Sequence, residues 1–211
     1  MTATQPDTRS RILDTAWTLI RRHGPNQVRV ADIAEAAGVS RQLVYVHFAN
    51  RAGLLVALAR HHDASSGFVE RVAATRKLPP VEGLEALLRL WFAYIPEILP
   101  FARALEAAAA ADEEGGAAWH DRMGDLSEAF RIAVDRVHRD GRLADGWTVR
   151  TATDWISARS HPTIWQHLVG ERGWRPGDYT ERAVRSILAE VVGPPARRDR
   201  EIGSPAASTP P

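Results

Sequence analysis

Residues 40–51, S-R-Q-L-V-Y-V-H-F-A-N-R, hold side chains whose types and spacing suit contact with duplex DNA. With about 100° between successive helical residues, Val44 and Phe48 share one side and should face the interior. Gln42 and Val46 lie opposite, flanked by Leu43 and Tyr45. An outward valine is poorly matched to water but fits a thymine methyl in a major groove. Gln42 can bond an adenine edge bidentately, and Arg41 can reach a guanine or a phosphate. Tyr45, His47 and Arg51 have the reach and donors to grip phosphates, which sets register without reading bases. A generic helical hairpin that exposes Val46 would look the same at this level.

Other polar clusters are weaker candidates for chemistry. His61-His62-Asp63 and His120-Asp121 are chain neighbours, and neighbours on a helix point apart. His161 and His167, six apart, also diverge. No G-x-S-x-G, Gly-rich phosphate loop or H-E-x-x-H occurs. The chain has no cysteine, which excludes disulfides and thiolate metal sites and fits a reducing cytoplasm. We therefore expect no enzyme, no metal and no cofactor. No apolar run approaches the roughly 20 residues of a membrane span. The start, M-T-A-T-Q-P-D, lacks the apolar stretch of a secretory signal. A cytoplasmic protein with no membrane association is expected.

Charge supports a polyanionic partner through its distribution. The 211 residues carry a net charge of only +1. Residues 1–60 nonetheless hold eight arginines (Arg9, Arg11, Arg21, Arg22, Arg29, Arg41, Arg51, Arg60) against Asp7, Asp14, Asp32 and Glu35. A basic N-terminal unit suits DNA, though chance clustering on a solvated surface gives the same count.

The elements that must position these residues read as helices throughout. In residues 8–23, Ile12, Leu13, Ala16, Trp17, Leu19 and Ile20 make one buried stripe. Asp7 or Thr8 can cap its start, and Gly24-Pro25 end it. Residues 30–37 and 40–48 are short helices. Gly38 supplies the positive φ that the turn between them needs, and Ser40 caps the second helix. Ile33, Ala34, Ala37 and Val39 let the pair approach closely, as in a helix-turn-helix. Residues 51–77 read as one long helix, and Leu78-Pro79-Pro80 as a junction. Further helices are expected over 81–95, stopping at Pro96, and over 98–112, ending near Gly115-Gly116. Others are expected over 117–139, over 148–170 with a kink at His161-Pro162, and over 178–192. Residues 194–211, rich in Pro, Arg, Ser and Ala, are expected to be a disordered tail.

Residues 8–55 resemble the DNA-binding domain of TetR-type transcriptional regulators. The resemblance rests on R-I-L-D-T-A-W-T-L-I-R-R-H-G, A-D-I-A-E-A-A-G-V-S and Y-V-H-F-A-N-R-A-G-L-L, which occur in that order. The segment from Gly146 to Tyr179 is similar to one C-terminal subgroup of the family. The resemblance implies an all-α protein with a helix-turn-helix domain at 8–50 and a helical effector-binding and dimerisation domain at 51–193. It implies a homodimer on a palindromic double-stranded DNA operator, acting as a repressor released by a small molecule. The residues assigned to DNA contact are Arg29, Ser40, Arg41, Gln42, Leu43, Tyr45, Val46, His47 and Arg51. Two positions depart from the family pattern. Arg29 stands where Thr or Ser usually caps the second helix, exchanging a cap for a phosphate-reaching charge, although Asp32 still suits the helix dipole. Leu43 stands where a small or hydroxyl residue is frequent, so operator preference cannot be borrowed.

The remainder holds six of the seven tryptophans. Aromatic side chains in a helical bundle either line a ligand pocket or fill the core. Trp91, Tyr94, Phe101, Trp119, Met123 and Phe130, in the middle helices, are the candidate effector-binding residues for an apolar or aromatic molecule. The helices at 148–170 and 178–192 carry Trp155, Ile156, Ile164, Trp165, Leu168, Val184, Ile187, Leu188 and Val191. These form either a four-helix dimer interface or intramolecular core. Two other functions stay open: a ligand-blind or activating DNA-binding regulator, and a helical small-molecule-binding protein without operator function.

Overall fold

The computed structural model describes residues 7–25, 27–110 and 113–194; the tail expected to be disordered lies, beyond Pro194, outside the described residues. Among the described residues ten α-helices follow one another: α1 (Thr8–His23), α2 (Val30–Ala36), α3 (Arg41–Phe48), α4 (Arg51–Ser65), α5 (Phe68–Thr75), α6 (Pro80–Ala109), α7 (Glu113–Arg139), α8 (Val149–Arg159), α9 (Pro162–Trp165) and α10 (Pro176–Val191). A π-helical segment, Gln166–Glu171, continues α9. Among the described residues the only extended pairing is an isolated antiparallel bridge between Leu143 and Val192. The all-α architecture expected from the sequence is observed.

Local chemistry explains the early boundaries. The Asp7 carboxylate accepts the Ser10 N–H at 2.6 Å and caps α1. Asp32 accepts the Arg29 N–H at 2.7 Å, so α2 keeps one half of a capping pair although Arg29 itself offers no acceptor. Ser40 Oγ accepts the Leu43 N–H at 3.1 Å at the start of α3, and Asn50 Oδ1 accepts the Gly53 N–H at 2.7 Å at the start of α4. Gly38 has φ of +65° in the α2–α3 turn, as that turn required.

Three boundaries differ from expectation. The helix expected over 51–77 breaks after Ser65, because Gly67 takes φ of +73° and turns the chain into α5. The helix expected to stop at Pro96 runs on through Pro96 and Pro100 to Ala109. Each internal proline costs about 3 kcal/mol, but α6 buries Leu84, Leu87, Leu88, Trp91, Phe92, Tyr94, Ile95, Ile98, Phe101 and Leu105. At about 1.5–3 kcal/mol for each such side chain, burial outweighs both prolines. Gly115 and Gly116 lie within α7 rather than at a break. At His161-Pro162 the expected interruption does occur, with Pro162 starting α9.

Two hydrophobic cores result. The first joins Ile12, Leu13, Ile20, Ile33, Val44 and Phe48 to Leu54, Leu55 and Leu58 of α4, and to Phe101, Ala104 and Leu105 of α6. A boundary at residue 50 therefore cuts through a packed unit: the first half of α4 belongs to the N-terminal core. The second core gathers α5 to α10 around Trp91, Phe92, Phe130, Ile156 and Ile187. Pro79 and Pro80 introduce α6 inside this second unit instead of separating two domains.

Candidate nucleic-acid interface

Helix α3 divides by face as the sequence spacing demands. Val44 and Phe48 are buried against the first core. Gln42 and Val46 point away from it, Val46 with 72 % of its surface exposed. Leu43 and His47 are half-buried at the flanks. The Arg41 guanidinium lies 5.6 Å from the centre of the exposed Tyr45 ring, with a long contact of 3.5 Å to its hydroxyl. Arg29 is exposed at the start of α2. Arg9 of α1 lies 5.2 Å from the Phe48 ring centre, adding a cation that the spacing of α3 did not reveal.

Arg51 behaves differently from its expected role as a phosphate grip. Its guanidinium is partly buried and donates to the carbonyls of Val28 (2.8 Å) and Pro25. It fastens the α1–α2 connection to the start of α4. A charge-assisted pair of this kind holds the helix-turn-helix in shape and leaves fewer donors for DNA.

Residues 60–63 of α4, R-H-H-D, tie the recognition unit to the rest. Arg60 pairs with Asp121 (2.9 Å) and Asp125 (3.1 Å) of α7. His61 meets Asp14 of α1 at 2.7 Å. His62 meets Glu97 of α6 at 2.8 Å and stacks on Trp17 of α1, ring centres 3.4 Å apart. Trp17 in turn stacks on Phe101 at 3.9 Å. Asp63, only 6 % exposed, accepts the Tyr94 hydroxyl at 2.7 Å and forms an ion pair with Arg122, itself 8 % exposed. Successive α4 residues thus reach three different helices. Burial holds the His62 pKa below its ordinary value, with Glu97 opposing in part. Burial and the neighbouring Asp63 carboxylate push the Tyr94 hydroxyl well above the usual tyrosine range. Asp63 carried a sequence signal that went unused: it continues the buried spacing of Leu55 and Ala59 with a charge.

The expected effector residues divide. Trp91, Phe101, Trp119 and Met123 do converge, but on a space of about 20 Å³, room for no more than a water. Tyr94 is engaged with Asp63, and Phe130 is fully buried in the second core. A larger cavity of about 390 Å³ opens between α5, α6 and α7. Trp91 lines it, together with Phe68, Val72, Leu87 and Leu126, on a mainly apolar wall. Of these, only Trp91 was among the expected effector residues; the α5 residues, Leu87 and Leu126 were missed, because the break at Gly67 that brings α5 to this cavity was read as continuous helix. Two wider clefts, about 780 and 560 Å³, lie where the two units meet and are more polar.

On the helices expected to pair in a dimer, Ile156, Trp165, Val184, Ile187 and Val191 are buried in the chain's own core. Only part of that apolar set remains outward: Trp155 and Ile164 are exposed, with Leu168 and Leu188 half-covered. Among the described residues no helix is long and apolar enough to cross a membrane.

Residues 12–58 match the family model described as bacterial regulatory proteins, tetR family. The transcriptional repressor LfrR of Mycolicibacterium smegmatis is 44% identical over 69 residues, 32% of this chain and 35% of that protein. The regulator TtgR of Pseudomonas putida is 42% identical over 52 residues, 25% of each chain. The matched stretch thus spans about a third or less of these two curated relatives. Among solved structures, a transcriptional regulator from Saccharomonospora viridis in complex with choline superposes with a TM-score of 0.71 at 22% identity, covering 90% of this chain and all of that one. FadR from Bacillus subtilis in complex with stearoyl-CoA gives 0.67 at 18% identity, covering 85% and 97%. At such identities the likeness speaks for the fold.

Proposed function

We propose that the chain is a regulator of the tetR family, whose model its residues 12–58 match, acting as a cytoplasmic, DNA-binding transcriptional repressor released by a small molecule and not as an enzyme. The observation that carries this reading is the division of α3. One face is buried, the start is capped, and the other face offers Gln42 and a largely exposed Val46. Water gives no reason to hold a valine outward on a short, well-anchored helix; a thymine methyl does.

In this reading Gln42, Val46, Arg41 and Leu43 face base edges, and Tyr45, His47 and Arg29 reach the backbone. Ser40 works as the cap that sets the pitch of α3, and Arg51 as a brace behind it. The protein acts as a homodimer, with α8 to α10 of each subunit pairing through the apolar residues left outward. Two recognition helices then sit about 34–36 Å apart, one turn of DNA. The effector occupies the cavity beside Trp91. Helix α4 joins the cavity to the recognition unit, because Asp63 lines the cavity while its neighbours hold α1 and α7. A ligand that favours one arrangement of α4 shifts the spacing of the two α3 helices and weakens operator binding.

Selection of bound duplexes from a random pool tests the reading. Enrichment of a two-fold symmetric sequence is expected, with affinity falling steeply as salt rises. Salt-sensitive binding with no enriched sequence would remove base reading, and absence of DNA binding would overturn the regulator.

A further inference from the structure

Six charged residues line the 390 Å³ cavity: Arg60, Asp63, Arg76, Arg122, Asp125 and Glu128. All three carboxylates are already neutralised. Asp63 pairs with Arg122, Asp125 with Arg60, and both oxygens of Glu128 accept from Arg131 at 2.7 Å. Arg60 and Arg122 are committed in the same pairs. The Arg76 guanidinium, at the end of α5, has no ion pair or hydrogen bond among the described residues; it acts on Glu128 only at longer range. The rest of the wall is apolar and includes Phe68, Val72, Leu87, Trp91 and Leu126.

A cation entering this cavity would have to draw a carboxylate away from its arginine, which leaves a charge uncompensated. An anion needs no such exchange. It gains a charge-assisted bond to Arg76 while its apolar body covers the aromatic and aliphatic wall. The volume lies within the range of small-molecule sites, about 300–1,000 Å³. We propose that the cavity between α5, α6 and α7 selects an apolar molecule bearing one negative charge, held at Arg76. This deepens the effector reading given above and rests on it for biological meaning, though the binding claim stands on the cavity alone.

Three near-isosteric probes separate charge from shape: naphthaleneacetate, naphthaleneacetamide and naphthylmethylammonium, titrated calorimetrically into the full chain. The anion should bind tighter than the neutral amide by about three- to ten-fold, the range of a partly exposed charged pair, and the ammonium weakest. Arg76→Gln, at an exposed position where folding is not at stake, should erase the preference for the anion while sparing the amide. Equal affinity of anion and amide, preference for the ammonium, an unchanged preference in Arg76→Gln, or no binding of any probe each overturns the proposal. The same samples are assayed on the selected duplex. Duplex binding without probe selectivity defeats this inference and leaves the regulator intact; probe selectivity without duplex binding does the reverse.

Discussion

Gln42 and Arg51 lie within ten residues of each other yet are placed differently. Gln42 stands exposed on the outward face of α3. Gln42→Ala should therefore weaken binding to the selected duplex by about 1–3 kcal/mol and leave non-specific DNA binding unchanged. Competition binding measures both; equal loss on all sequences would take Gln42 out of base reading. Arg51 donates to two backbone carbonyls across the α1–α2 connection. Arg51→Met should lower the free energy of unfolding by about 1–3 kcal/mol, measured in urea, with the salt dependence of DNA binding preserved. A salt slope flatter by about one unit at unchanged stability would return Arg51 to the phosphates. Nothing in the local sequence separated these roles. The carbonyls of Pro25 and Val28 come near Arg51 only once α1, α2 and α4 pack.

Among the elements, the break between α4 and α5 makes the sharpest prediction because its sign is at stake. Were residues 51–77 one helix, Gly67→Ala would stabilise by about 1 kcal/mol through helix propensity. With Gly67 at φ of +73°, the added methyl is strained instead, and a loss of about 1–2 kcal/mol is expected. Thermal melting read by circular dichroism decides between them. Helix α6 teaches the complementary lesson. Its two prolines read locally as breakers, yet it persists because both of its halves are sealed into cores. Short-range signals governed where surface turns fall, and tertiary burial governed whether a long helix survived.

At the scale of the whole molecule, His62 joins the recognition unit to the body. It packs between Trp17 and Tyr94, with Glu97 on its ring nitrogen and Asp63 and Arg21 in its field. Burial lowers its folded pKa below the ordinary 6.5. The unfolded chain then binds the proton more readily, so the stabilisation is fully present above about 6.5 and is lost as pH falls toward the folded pKa. Stability should decline on acidification from about pH 7.5 to 5.5, and more steeply in the parent than in His62→Gln. Matching slopes in chemical denaturation would take the proton off His62. Assembly is tested at the same scale. Trp155 and Ile164 remain 36 % exposed on the proposed pairing face. Trp155→Glu together with Ile164→Glu should turn a dimer into monomers by sedimentation, without loss of helicity. A dimer that survives both charges pairs elsewhere.

By itself the sequence determined the helical class, the helix-turn-helix and the outward face of α3, since these follow from spacing within about twenty residues. The caps at Asp7 and Ser40 were equally local. Only the tertiary structure decided that Arg51 braces backbone, that four of the aromatic and thioether candidates close around almost no space, and that the usable cavity lies against α5. It also decided that Asp63, Arg122 and Tyr94 form one buried cluster. The reason is range. Periodicity says which face of a helix is buried, but the partners of Arg51, Asp63 and Trp17 come from segments distant in sequence, and those meetings depend on how whole helices cross.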